Sequence, residues 1–381
     1  MLAQSEGAER RLLLVVGAVM FVDTMFYAAI APLLPTLTRQ LALSKLAAGV
    51  MTASYPAGTL IGALPGGVLA VRVGPKQAVY LGLALLACST LAFGLLHPAG
   101  ALDAARLVEG VGGACSWAGG LAWIIAQAPA QRRGALMGGA MGAAIGGALL
   151  GPVIGTSAVA FGRAPAFGAV VIVALALIAA AARLESLTAT SGQGLRELRA
   201  ACRNRRVGVA MWLVALPAIA SGALNVLGPL RLHRLGAGAV AIGGVYLAAT
   251  AVEAAISPAV GRLSDRRGRI VPLRFGLAAA TAVLLCFTLA GTPLLLAGVI
   301  VAIVAALGVF WAPAMAMLSD AAAAHGLEQG LAAALINLAW AGGQVLGAGA
   351  GGAVAKAHGD APVIFVLAVL CALTLVALGR L

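Results

Sequence analysis

Apolar runs of about twenty residues recur twelve times along this chain. They fall near 12–36, 46–70, 77–97, 101–128, 134–158, 164–182, 207–230, 239–260, 271–290, 292–318, 329–354 and 361–379, parted by short clusters of charged or turn residues. Coiled as a helix, a run of about twenty residues matches the hydrocarbon thickness of a bilayer. Composition removes the soluble alternative: 62% of the residues are hydrophobic and 10% charged, where a soluble domain has roughly a quarter charged. In lipid every backbone polar group must be satisfied within the protein, which helices and closed barrels alone achieve. The runs lack the alternating pattern of barrel strands, so the expected fold is an all-α membrane protein with twelve transmembrane helices.

The formal net charge of +13 raises the question of nucleic acid, but the basic residues sit at the ends of apolar spans. No nucleic-acid partner is expected. Cys88, Cys115, Cys202, Cys286 and Cys371 form no CxxC pair and mostly lie within apolar runs, so they read as small buried hydrophobes. The four histidines show no metal spacing, and no metal or cofactor is expected. The N-terminal run, Leu12 to Leu37, exceeds the roughly 7–15 residues of a signal-peptide core. Its A-x-A site, Ala29-Ile30-Ala31, precedes Pro32, a poor cleavage context. It is expected to be an uncleaved first span.

Orientation follows from lysine and arginine. With the N-terminus in the cytoplasm, Arg10, Arg11, Arg72, Lys76, Arg132, Arg133, the arginines from Arg183 to Arg206, those from Arg262 to Arg274, and Arg380 lie inside. Arg39, Lys45, Arg163, Arg231, Arg234 and Lys356 lie outside, a third as many. The bias predicts a multi-pass protein of the plasma (inner) membrane with both termini cytoplasmic. The longest polar stretch, 183–206, divides the chain into six-span bundles at 1–182 and 207–381. These halves match at an offset of 194: Pro35 with Pro229, Gly49 with Gly243, Gly67 with Gly261, Arg72 with Arg266, Gly74 with Gly268. Duplicated six-helix halves are typical of secondary transporters that rock about a central site.

Several stretches resemble motifs of the major facilitator superfamily. Gly261-Arg-Leu-Ser-Asp265-Arg266-Arg-Gly268-Arg269, after span eight, is similar to the family's G-x-x-x-D-R-x-G-R loop, and Gly67-Val-Leu-Ala-Val71-Arg72-Val-Gly74 is its degenerate twin. Span four carries Arg106-Leu-Val-Glu109-Gly110-Val-Gly112-Gly113-Ala114, similar to R-x-x-Q-G-x-G-x-A with glutamate replacing glutamine. In span five, Gly138, Gly147, Gly151, Pro152 and Gly155 match the antiporter motif of drug:proton exporters, with Thr156 where a second glycine is usual. Span one, Phe21-Val-Asp23-Thr-Met-Phe-Tyr27, and the stretch from Gly347 to Lys356 in span eleven resemble the twelve-span multidrug and vesicular-amine exporters. The resemblance implies two six-helix bundles around a cavity that opens alternately to each side.

Asp23 is the sole charge between Arg11 and Arg39. A carboxylate at mid-bilayer costs about 2.5–3.5 kcal/mol on insertion scales, so an isolated one calls for a reason. Burial penalises the charged form of a carboxyl, which suits such a group to exchanging protons or holding a cationic substrate. The alternative is a structural carboxyl bonded to a neighbouring helix. Tyr27 lies one turn further along the same face. Arg106 and Glu109, three residues apart, can neutralise each other or serve as a second proton site, the resemblance linking the arginine to proton transfer. Glu253 in span eight either lines the cavity or pairs with the basic loop.

Asn337, Trp340 and Gln344 form one polar and aromatic stripe on span eleven. The amine exporters carry an acid near the position of Asn337, and its absence leaves proton coupling to the first half. Tyr55, Asn225 and Trp311 are further candidates for the cavity or for packing. The glycines of span five permit close helix packing and Pro152 a kink, predicting a tight seam between the halves. Asp265 and Arg266, with Arg269 beside them, are expected to latch the loop after span eight; in its twin Val71 replaces the acid.

The expected function is proton-coupled export of a small lipophilic or cationic compound, by a monomer whose partners are substrate, protons and the lipid bilayer. The alternative on the same fold is proton-coupled uptake or exchange of a sugar or organic acid. A membrane enzyme would need a nucleophile, metal cluster or phosphate loop, and a receptor extensive water-facing domains; neither is visible in the sequence.

Overall fold

A computed structural model describes residues 2–127, 132–185, 200–327 and 329–379. Span one is two helices, Leu2–Ala28 and Ile30–Gln40. Spans two to six are Lys45–Arg72, Pro75–Leu95, Ala99–Gln127, Arg133–Phe161 and Arg163–Ala182. Spans seven to ten are Arg205–Arg234, Ala239–Arg267, Ile270–Leu289 and Pro293–Ala324. Span eleven runs Gln329–Val345, passes through a π-helical turn at Leu346–Ala350 and continues as Gly351–His358; span twelve is Asp360–Gly379. Eleven helices among the described residues are long and apolar enough to cross a membrane. The remaining long helix, Ala99–Gln127, is diluted by glycine and carries Asp103, Arg106 and Glu109.

The break in span one, between Ala28 and Ile30, has a local cause. Pro32 lacks the N–H that would bond the Ala28 carbonyl, and its ring crowds that carbonyl. The turn glycines of the repeated loops also match: Gly74 has φ 129° and Gly268 φ 81°, conformations that residues with a Cβ rarely adopt. Each ends one span and lets the next begin at once.

The chain packs as two compact units, 1–30 with 54–194 and 31–53 with 195–381. One boundary lies within the polar stretch 183–206. The other places the Ala31–Ala53 hairpin with the second half of the sequence, for two reasons. Lys45 Nζ lies 2.5 Å from Asp360 Oδ1 of span twelve. A side chain at Gly49 would strike the Ala348 carbonyl, so span two approaches span eleven at backbone distance.

Within each unit the helix pairings repeat. In the first unit span one packs on five, three on four and three on six; in the second, seven packs on eleven, nine on ten and nine on twelve. Span two meets four through Gly58, Gly62 and Gly66, which face Leu107, Val111 and Cys115, and span eight meets ten. Small residues at four-residue spacing permit such approach in lipid, where packing replaces the hydrophobic effect as the force between helices. The sequence repeat is thus also a repeat of contacts.

Candidate functional site

The first unit holds a cluster of ionisable side chains closed off from solvent: Asp23 is 1% exposed, Arg106 3% and Glu109 2%. Asp23 Oδ2 accepts hydrogen bonds from the Tyr55 hydroxyl at 2.8 Å and the Trp117 indole N–H at 2.9 Å. Its other oxygen, Oδ1, has no hydrogen-bond partner among the described residues. Arg106 NH1 donates to both Glu109 oxygens, at 3.2 and 3.0 Å, and to the Phe26 carbonyl at 3.1 Å, while NH2 donates to the Tyr27 carbonyl at 3.2 Å. The guanidinium lies 5.1 Å from the Tyr55 ring centroid, and the Tyr27 and Tyr55 rings are 5.0 Å apart.

These contacts follow from two local features of the sequence. Phe26 and Tyr27 sit in the last turn of the broken helix, where carbonyls lose their intrahelical partners, and Arg106 supplies donors there. A cation at a helix C-terminus is also favoured by the helix dipole. Span four reaches this position because its glycines face three different neighbours. A side chain at Gly110 would collide with the Tyr55 carbonyl of span two; at Gly112 it would lie 2.9 Å from the Gly82 carbonyl of span three; at Gly113 it would lie 2.6 Å from Asp23 Oδ1. The motif of span four is therefore a three-way packing device carrying a buried ion pair.

Counted by charge, the cluster has two carboxyl groups and one guanidinium. Ionised throughout, it carries one uncompensated negative charge among buried side chains. Uptake of one proton or one cation neutralises it.

The other candidate residues lie elsewhere. Span five meets span one of its own unit: a side chain at Gly147 would collide with the Phe21 carbonyl, and one at Gly151 would lie 2.7 Å from the Met25 carbonyl. The Thr24 hydroxyl between them is 2.7 Å from the Ala144 carbonyl. Against the expected seam between halves, the close approach of these two glycines is made inside the first unit, because Phe21, Thr24 and Met25 form the flank of span one that leaves room for a backbone. Pro152 and Gly155 are buried on the same helix, whereas Gly138 has open space around it.

In the second unit, Glu253 lies half-buried against Gly308 of span ten, where a side chain would come within 2.7 Å of its Cγ. Asn337 and Trp340 are half-buried and Gln344 is buried, its carbonyl 2.6 Å from where a side chain at Gly222 would stand. Gly67 and Gly261 have open surroundings, and Arg72 and Arg266 are exposed. Arg269 pairs with Asp320 of span ten at 2.5 Å. The Asp265 side chain lies outside the described residues.

Two groups escaped sequence reasoning. Trp117 lies two helical turns beyond Glu109, and an indole N–H inside a helix array usually finds a partner, so its spacing was the available signal. Asp360 is buried and gathers Lys45, Arg234 and, at 3.9 Å, Arg231. Its position at the start of a span gave no warning that three cations from distant segments converge on it.

A repeated array of helices long and apolar enough to span a membrane, with charge buried inside it, defines a polytopic membrane protein. The family profile of the Major Facilitator Superfamily matches residues 16–327. The chain belongs to that superfamily. It is 34% identical over 103 residues, 27% of its length, to the uncharacterized MFS-type transporter Rv1250 of Mycobacterium tuberculosis, of which the match spans 18%. Its fold resembles the crystal structure of a bacterial homolog to the human lysosomal transporter Spinster, in an inward-facing and unoccupied conformation. The TM-score is 0.78 and the identity 14%, over 98% of this chain and 97% of that one.

Proposed function

We propose that the chain exports a small lipophilic or cationic compound in exchange for protons, and that Asp23, Arg106 and Glu109 carry the coupling. The supporting observation is the charge count: two carboxyl groups share one guanidinium in a buried cluster. A proton on the cluster leaves it neutral, and a cationic substrate does the same, so the two compete for one compensating role. Asp23 Oδ1 is the oxygen free to receive either. With a proton on Asp23, the donors Tyr55 and Trp117 hold it less strongly, because hydrogen bonds to a charged acceptor are roughly twice as strong as neutral ones. Spans one, two and four can then rearrange. The likeness of span five to the antiporter motif supports export. In this reading the protein works as a monomer in the inner membrane with both termini in the cytoplasm.

The test is proton release from purified protein in weakly buffered detergent solution on addition of cationic, neutral and anionic compounds. Antiport predicts release with a compound that binds, and no release from Asp23→Asn with the same compound. Proton uptake on binding of a sugar or organic acid would replace export by symport.

A further inference from the structure

A groove of about 900 Å³ runs between the start of span seven and the end of span twelve in the second unit. Its wall is apolar: Leu213, Leu370 and Leu373 line it beside Trp212, which is 38% exposed while Leu373 is 61% exposed. The indole is fixed in place, donating its N–H to the Thr374 hydroxyl at 3.1 Å, which in turn donates to the Leu370 carbonyl at 2.7 Å. The mouth is basic. Arg203 and Arg205 line it with Cys202 and Asn204, and none of the described residues that line it is acidic. Both arginines are exposed. The Asn204 side chain accepts the Arg206 backbone N–H at 2.8 Å and so orders the chain that carries them.

We infer that this groove binds an anionic phospholipid, its acyl chain along Trp212 and Leu373 and its phosphate between Arg203 and Arg205. The groove has an open apolar wall at the depth of a span and, at its mouth, arginines with no acidic partner among the described residues, a pattern that complements a negatively charged amphiphile. Trp212 lies about two turns inside the start of span seven, near the end where aromatic rings favour a membrane interface. The basic-residue bias predicts this end to face the cytoplasm, whose leaflet holds anionic lipid, and basic pockets between spans there bind such headgroups. Sugars lack the charge, and a soluble anion makes no use of the exposed leucines.

The full-length protein, reconstituted in phosphatidylcholine vesicles, reports binding through tryptophan quenching by small amounts of brominated phosphatidylglycerol or brominated phosphatidylcholine. The anionic lipid is expected to quench more strongly, and the excess is expected to vanish in Trp212→Phe, which removes the reporter. In Arg203→Gln/Arg205→Gln, the preference for the anionic lipid should fall about twenty-five-fold, roughly five-fold for each arginine, with the wild-type melting temperature unchanged. Equal quenching by the two lipids overturns the inference, as does an excess that survives either variant. Competition by soluble glycerol phosphate would also overturn it, since that result assigns the arginines to a free anion.

Discussion

The hydroxyl of Tyr55 donates to Asp23 Oδ2 at 2.8 Å, tying span two to span one at the deepest charge in the first unit. Trp117 donates to the same oxygen from span four. Three helices thus converge on one carboxylate oxygen and leave the other unclaimed. A hydrogen bond to a charged group contributes about 1.5–3 kcal/mol, so Tyr55→Phe should lower pH-gradient-driven transport about ten-fold or more. Initial rates in proteoliposomes measure this, with Trp117→Phe expected to act in the same direction.

The Arg106–Glu109 pair is buried on both sides. Removing one member of a buried pair costs about 3–5 kcal/mol, since the other charge is left without its partner. Arg106→Met leaves two carboxyl groups without a cation and should therefore lower the melting temperature of the solubilised protein clearly, and more than Glu109→Gln, which leaves Asp23 to balance Arg106. Arg106→Met/Glu109→Gln should cost less than the sum of the single variants, because residues in one ion pair are not independent. Additive losses would mean that the two side chains act separately.

In span five the five motif positions are not equivalent. Gly147 and Gly151 touch span one at backbone distance, and Gly138 has room around it. Overpacking a close contact costs about 1–3 kcal/mol, so Gly147→Ala and Gly151→Ala should reduce folded yield or thermal stability while Gly138→Ala leaves both unchanged. Size-exclusion profiles and melting curves of the three variants separate them.

Asp360 anchors the second unit. It faces Lys45, Arg231 and Arg234, and among the described residues Lys45 pairs with Asp360. Asp360→Asn should therefore destabilise by about 3–5 kcal/mol, leaving like charges together around a buried site. Lys45→Gln should cost about 1 kcal/mol or less, since that lysine is partly exposed and two arginines remain. Denaturation midpoints compare the two, and equal losses would contradict the asymmetry.

Span positions were legible because each is a continuous apolar run whose ends carry charge or proline, and lipid tolerates few alternatives. The repeat was legible from Gly74 and Gly268, whose shared backbone conformation fixes the residue type. The Arg106–Glu109 pair was legible from helical spacing alone. Tyr55 was visible only as a polar aromatic residue, since nothing local shows which helix it will meet. The partner of Asp23 depends on glycines in span four that set interhelical distances. Asp360 was hidden for the same reason: its partner Lys45 lies 315 residues away in sequence. What escaped the sequence is therefore contact between distant segments, set by where small side chains let backbones approach.

The most direct measurement compares concentrative accumulation with equilibrium exchange of one transported compound in proteoliposomes carrying wild-type protein or Asp23→Asn. Coupling through Asp23 predicts that pH-gradient-driven accumulation falls to the level of empty liposomes in the variant while exchange across the membrane at equal pH continues. Undiminished accumulation in Asp23→Asn would contradict the account, because the proton would then be carried elsewhere.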